Sequence, residues 1–131
     1  MSAQTFYYSV HAYDFHTYYT LGDEESKAEF YAFRKAVEEE FAPELTEGKC
    51  RIFRSFDETL GPHTQGMFET DTRDASTFLK LLNFYQLNHG NLSVLIHPRS
   101  GLGELSDHTK HALWLGEKVP LKESVLSDDR K

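Results

Sequence analysis

The chain has 131 residues, the size of one ordinary domain, and 14 lysines and arginines against 21 aspartates and glutamates leave a formal charge of −7. That charge argues against a phosphate-backbone partner. No apolar run approaches the roughly eighteen residues of a membrane span, and the single cysteine, Cys50, excludes an intrachain disulfide and a disulfide-stapled secreted scaffold. Met1–Tyr8 has no basic segment followed by an apolar one, so no signal peptide is expected and the expected location is cytoplasmic. Apolar residues make up 39% of the chain, enough for the core of one domain spanning 1–131. Aromatics at 14% and seven histidines are the unusual counts.

Tyr13–Tyr19 is rich in aromatics and predicts the first strand, with Phe6–Val10 as a possible extension. A helix follows. Asp23, Glu24 and Glu25 supply acidic groups at its start, Ser26 and Glu29 have capping-box spacing, and Phe30, Phe33, Val37 and Phe41 form one apolar stripe. Pro43 is expected to end it. Cys50–Phe56 and Gly66–Thr70 predict strands two and three, with Cys50 as a packed core thiol. Asp74 opens a second helix carrying Phe78, Leu81, Leu82 and Tyr85 on one face and closed by Gly90. Leu92–Ile96 predicts strand four. The remainder is expected to hold a turn, a short helix near Asp107–Leu113, a C-terminal strand or arm, and a disordered tail at Ser127–Lys131.

The order β-α-β-β-α-β predicts an α+β, ferredoxin-like antiparallel sheet with both helices on one face, plus a C-terminal extension. Side-chain parity then sorts the strands. Tyr13, Phe15, Thr17, Tyr19, Phe68, Leu92, Val94 and Ile96 should meet the helices, leaving Asp14, His16, Tyr18, Met67, Glu69, Leu95 and His97 on the open face. Continuing the third strand's parity backwards brings His63 to the open face too. An exposed aromatic sheet is not tolerated in a monomer, so dimerisation or cover by the C-terminal arm is expected.

Histidines from separate elements therefore converge. Asp14-x-His16-x-Tyr18 aligns a carboxylate, an imidazole and a phenol on one strand face; its plain alternative is a solvated polar face. His63 follows the Gly61-Pro62 turn, His97 precedes Pro98, and Asp107-His108-Thr109 opens the predicted short helix. Imidazole is the commonest zinc ligand and also suits iron and copper. His11, His89 and His111 have placements that suit structural or exposed roles. Among the motifs present there is no phosphate-cradling glycine loop, serine-triad spacing or paired-cysteine zinc motif.

The segments YDFHTYY, GPH, LNHGNLSVLIHP and DHTKHALWLG, in this order, resemble the DOPA 4,5-dioxygenase family of small extradiol ring-cleaving enzymes over nearly the whole chain. The resemblance implies a ferredoxin-like fold that often dimerises, a nonhaem Fe(II) centre, and cleavage of a catechol such as L-DOPA by O₂. It carries His16, His63 and His97 to the metal and His108 to proton transfer, with Asp14 and Tyr18 towards substrate. A carboxylate, Asp14 or Glu69, is the alternative third ligand, since two histidines and one carboxylate commonly hold Fe(II). Zinc or another divalent metal is the expected substitute in a purified preparation. The expected partners are a small catechol, O₂ and a second copy of the chain, with neither nucleic acid nor membrane. The competing reading is a noncatalytic metal- or small-ligand-binding dimeric α+β barrel protein.

Overall fold

The alternating strand around His16 becomes the centre of the sheet. In the computed structural model, which describes residues 5–129, β1 (Ala12–Tyr19) pairs antiparallel with both β3 (Gly66–Thr72) and β4 (Ser93–Arg99). The edges are β2 (Cys50–Ile52) beside β3 and β5 (Leu113–Leu115) beside β4, so the five-stranded antiparallel sheet runs β2-β3-β1-β4-β5. Four helices complete the α+β architecture: α1 (Glu24–Glu40), α2 (Ala42–Thr46), α3 (Ala75–Asn88) and α4 (Glu104–His108). Among the described residues no helix is long and apolar enough to cross a membrane.

Parity sorts the two faces. Phe15, Phe68 and Ile96 of the sheet share one core cluster with Phe30 and Phe33 of α1 and Leu81 of α3. Phe30 and Phe68 meet edge to face at 5.2 Å, a contact worth about 0.5–1.5 kcal/mol beyond area burial. Tyr85, fully buried, satisfies its hydroxyl on Thr70 Oγ1 at 2.8 Å. Cys50 packs in this core, and burial pushes its thiol up to about 11, which keeps it unreactive at neutral pH. On the opposite face Tyr18, Met67 and Leu95 are buried beneath Trp114, Val119 and Leu121. The C-terminal arm thus covers the face that the sequence leaves open.

Several local expectations change. Phe6–Val10 does not extend β1: Tyr8 and Ser9 have positive φ and Val10 N–H donates back to Tyr7. Asp23, not Ser26, caps α1, accepting from Ser26 N–H at 3.0 Å. Glu29 instead accepts from Asn91 N–H beyond α3. Pro43 lies in the first turn of α2, where its missing N–H costs nothing. The second strand leaves its regular ladder after Ile52. Phe53 and Phe56 bond to Glu69 and Met67, so one extra residue bulges out, and Arg34 donates to the freed Phe53 carbonyl at 2.6 Å. β3 continues to Thr72 and β4 through Pro98 to Arg99, while the short helix falls earlier than predicted, at Glu104–His108. Ser127–Asp129 of the tail is exposed but tied down: Asp128 accepts from Ser106 N–H at 2.8 Å and from Ser106 Oγ at 2.6 Å, at the start of α4. Residues 130–131 of that predicted tail, and residues 1–4, lie outside the described residues.

Candidate metal centre

Antiparallel register sets up the site. His16 lies directly opposite Glu69 on β3 and Leu95 on β4, while Asp14 lies opposite His97. His16 and His97 are therefore diagonal neighbours on the same face, within reach of long side chains. Their Nε2 atoms are 3.1 Å apart and their rings lie nearly parallel, at 16°. The loop after β4 then turns α4 back over this face. Asp107 holds that loop, accepting from Ser100 N–H at 2.9 Å and Ser100 Oγ at 2.7 Å, and α4 delivers His108 with its ring centroid 4.0 Å from that of His97. One ring nitrogen from each of His16, His97 and His108 lies within 4.8 Å of the others, and all three residues are buried.

Backbone carbonyls decide the tautomers. His97 Nδ1 meets Pro98 O at 3.1 Å and His108 Nδ1 meets Glu104 O at 2.7 Å. A carbonyl oxygen only accepts, so each Nδ1 carries the hydrogen and each Nε2 presents a bare lone pair. His16 Nε2 faces the bare Nε2 of His97, and His16 Nδ1 is buried without a hydrogen-bond partner. Its nearest carboxylate is Glu69, at 3.9 Å. Without a metal, His16 Nε2–H donates to His97 Nε2; a divalent cation bound to the three ring nitrogens would take the place of that hydrogen bond and move the His16 hydrogen to Nδ1, directed to Glu69. The donor set fits a metal that accepts imidazole ligands.

The electrostatics agree. Burial, reinforced by the neighbouring histidines, holds His16 well below the ordinary imidazole range and lowers His97 to about 3. Both are neutral at pH 7, the form that binds metal. Asp14, 1% exposed, is committed elsewhere: Arg99 Nε donates to Oδ1 at 3.0 Å and to Oδ2 at 2.9 Å, and Arg99 Nη2 lies 2.7 Å from Oδ2. Burial raises the Asp14 carboxyl while the Arg99 pair opposes that shift. A second group of possible donors, Asp14, His16 and Glu69, also comes together, but its Asp14 is occupied by the guanidinium.

His63 sits beside the cluster. Its ring centroid is 4.4 Å from that of His16, and its Nδ1 is 2.6 Å from Tyr18 OH. Burial lowers His63 to about 4, and burial raises the Tyr18 phenol above its usual value. His63 and Glu69 both line a cleft of about 570 Å³ whose other walls include Phe53, Phe56, Leu60 and Met67. Glu69 is pushed up to about 7 by burial and by the charges of Asp14 and Asp71. The cleft therefore reaches the cluster through one imidazole and one carboxylate. Asp14 and Tyr18, 1% and 2% exposed, do not line it.

All four histidines singled out in the sequence come together, with His108 in the tight triad and His63 between triad and cleft. The remaining three lie apart from it. His11 is exposed, His89 bonds Leu92 O at 2.8 Å, and His111 pairs with Asp107 at 2.8 Å. Arg99 and Asp128 carry no motif of their own. Arg99 was detectable only as the next open-face position after His97, and Asp128 had no sequence signal.

The model of the Dopa 4,5-dioxygenase family matches residues 13–125. An uncharacterized 21.2 kDa protein of Botryotinia fuckeliana is 33% identical over 121 residues, 88% of this chain and 63% of that protein. A DOPA 4,5-dioxygenase of Amanita muscaria is 34% identical over 70 residues, 53% of this chain and 30% of that enzyme. The chain thus spans less than two thirds of either relative. A crystal structure from Nostoc punctiforme PCC 73102, described as a candidate dioxygenase, superposes with a TM-score of 0.64 at 25% identity, covering 89% of this chain and 91% of that one. With the match extending over the whole sheet but for Ala12 and over all four clustered histidines, the chain belongs to the Dopa 4,5-dioxygenase family.

Proposed function

We propose that this protein opens the ring of a catechol with O₂ in the extradiol manner, at an Fe(II) held by His16, His97 and His108. The observation that carries the reading is the pair of backbone-locked Nδ1–H groups of His97 and His108, which leave their Nε2 atoms as the ligand atoms in a cluster with His16. Three imidazole ligands leave coordination positions open, and Fe(II) bound there would supply a meeting point for a catechol and O₂ and a path for electrons between them.

The chain's own groups handle position and protons. Glu69, shifted up to about 7, is poised to accept a proton from a catechol hydroxyl near neutral pH. His63 faces the same cleft as a neutral imidazole and receives or donates the second hydrogen bond, its ring fixed by Tyr18 OH. Tyr18 acts through His63 and stays protonated throughout the neutral range. Arg99 neutralises Asp14, so that buried carboxylate does not compete for the cation. The apolar walls exclude water from the ring. In this assignment His63 and His108 exchange the roles that the sequence suggested, because the carbonyl contact on His108 Nδ1 suits a ligand and the phenol contact on His63 suits a proton carrier.

L-DOPA is the first substrate to test, given the family and the Amanita relative. Protein loaded anaerobically with Fe(II), mixed with L-DOPA and then exposed to air, is expected to consume O₂ and form a yellow ring-opened product. Iron-loaded protein that takes up no O₂ across a panel of catechols refutes the enzymatic reading and leaves a noncatalytic metal-binding protein.

A further inference from the structure

The cleft beside His63 contains one cation that the proposed chemistry does not use. Arg54 lines the cleft, with its guanidinium stacked on Phe56 at 4.3 Å from the ring centroid. The neighbouring arginines are spoken for: Arg34 donates to Phe53 O and Ser55 Oγ, Arg51 pairs with Asp71, and Arg99 pairs with Asp14. Arg54 has no hydrogen bond or ion pair with the described residues. The adjacent carboxylate in sequence, Asp57, is occupied by the hydroxyls of Tyr19 at 2.6 Å and Tyr31 at 2.9 Å.

This placement is chemically polarised. The walls are aromatic and aliphatic, which suits a ring. Glu69, on the side next to His16, repels an anion and accepts from hydroxyls. An exposed, unneutralised guanidinium on Phe56 attracts one. A formal charge of −7 disfavours binding of an acid unless a local cation offsets it. A guanidinium also offers the paired donors that a carboxylate accepts, and stacking on an aromatic ring orients them.

We infer that the cleft takes an acidic catechol, its two hydroxyls towards His63 and Glu69 and its carboxylate on Arg54. This rests on the catechol reading above and adds the residue that reads the substituent: Arg54 selects a side chain that bears a carboxylate over one that lacks it.

The test compares 3,4-dihydroxyphenylacetate, 4-methylcatechol and dopamine on the wild type, Arg54→Ala, Arg54→Lys and Arg54→Glu. Binding is followed calorimetrically without O₂, and turnover as O₂ uptake. The wild type is expected to favour the acid. Arg54→Ala should reduce the acid's affinity and kcat/KM by about ten- to hundredfold more than those of 4-methylcatechol, the effect of losing a charged hydrogen bond. Arg54→Lys should restore part of the loss, and Arg54→Glu should shift preference towards dopamine. Equal effects on acid and neutral catechol, or a wild type without preference for the acid, overturn the inference. Lack of turnover with every catechol would defeat the enzymatic reading alone, because the binding comparison still decides the role of Arg54. Arg54 is exposed, so these variants retain the core.

Discussion

Acidifying the metal-free protein should weaken its fold well before its ordinary carboxylates titrate. His63 and His97 move from 6.5 to about 4 and about 3 on folding. For a histidine lowered in this way, both states are neutral above pH 6.5. Below it the unfolded chain takes up protons that the folded chain refuses, so stability falls with pH until the folded value is reached. Each such group costs about 1.4 kcal/mol per pH unit, or about 2 kcal/mol at pH 5. Glu69 acts with the opposite sign. Its carboxyl rises from 4.5 to about 7, so the folded state binds the proton first and gains about 2.5 kcal/mol between pH 7.5 and 5. The two histidines minus Glu69 leave a loss of about 1.5 kcal/mol, which His16, also held well below the ordinary range, deepens. Glu69→Gln removes the offset, and its loss should exceed that of the wild type by about 2.5 kcal/mol. Urea unfolding in chelator at pH 7.5 and pH 5 reads both numbers. A wild type more stable at pH 5, or a Glu69→Gln variant with the same pH response, refutes the reasoning that these groups are buried and uncharged together.

The other expectations concern how the site is held. His108→Ala should lower Co(II) or Zn(II) affinity by more than the roughly 10–100-fold of an outer partner, whereas His63→Ala should keep the metal and lower kcat by about 10²–10⁴. Metal titration beside O₂-uptake kinetics separates them, and equal metal loss in both would remove the distinction. Asp128→Ala removes the acceptor for Ser106 N–H and Ser106 Oγ at the start of α4, which should lower the midpoint of urea melts. It should also weaken metal binding about tenfold or more; unchanged metal affinity would detach the tail from the site. Arg99→Ala leaves the buried Asp14 carboxyl without its guanidinium and with only His97 Nε2 nearby, at 3.6 Å, a loss of about 3–5 kcal/mol by thermal or urea unfolding. Adding Asp14→Asn should recover much of it, and no recovery would mean that the loss comes from packing.

Much of the site could be read from strand parity. A two-residue period forces Asp14, His16 and Tyr18 to one face of β1, and the same rule sends Glu69 and His97 to that face once the strands pair. The long helices were equally legible, because Phe30, Phe33 and Val37 repeat at the helical period and are buried as a stripe. Local competition defeated the finer details. Ser26 and Glu29 have the spacing of a capping box, yet Asp23 reached the free N–H first and Glu29 found Asn91 across the molecule. The bulge after Ile52 depends on Arg34, which is distant in sequence and carries no strand signal.

Local periodicity and motifs carried in short segments were enough to read the alternating strands, the apolar helix stripes and the four histidines. Which of those histidines share a point followed from the way the chain closes. The turn from β4 into α4, held by Asp107 and by the returning Asp128, places His108 beside His97. Carbonyls of Pro98 and Glu104 then set which ring nitrogens remain bare. The meeting of the histidines has no local signature, because it depends on where distant segments come to rest when the chain closes over the sheet, whereas the carbonyls that fix the tautomers lie only one and four residues away along the chain.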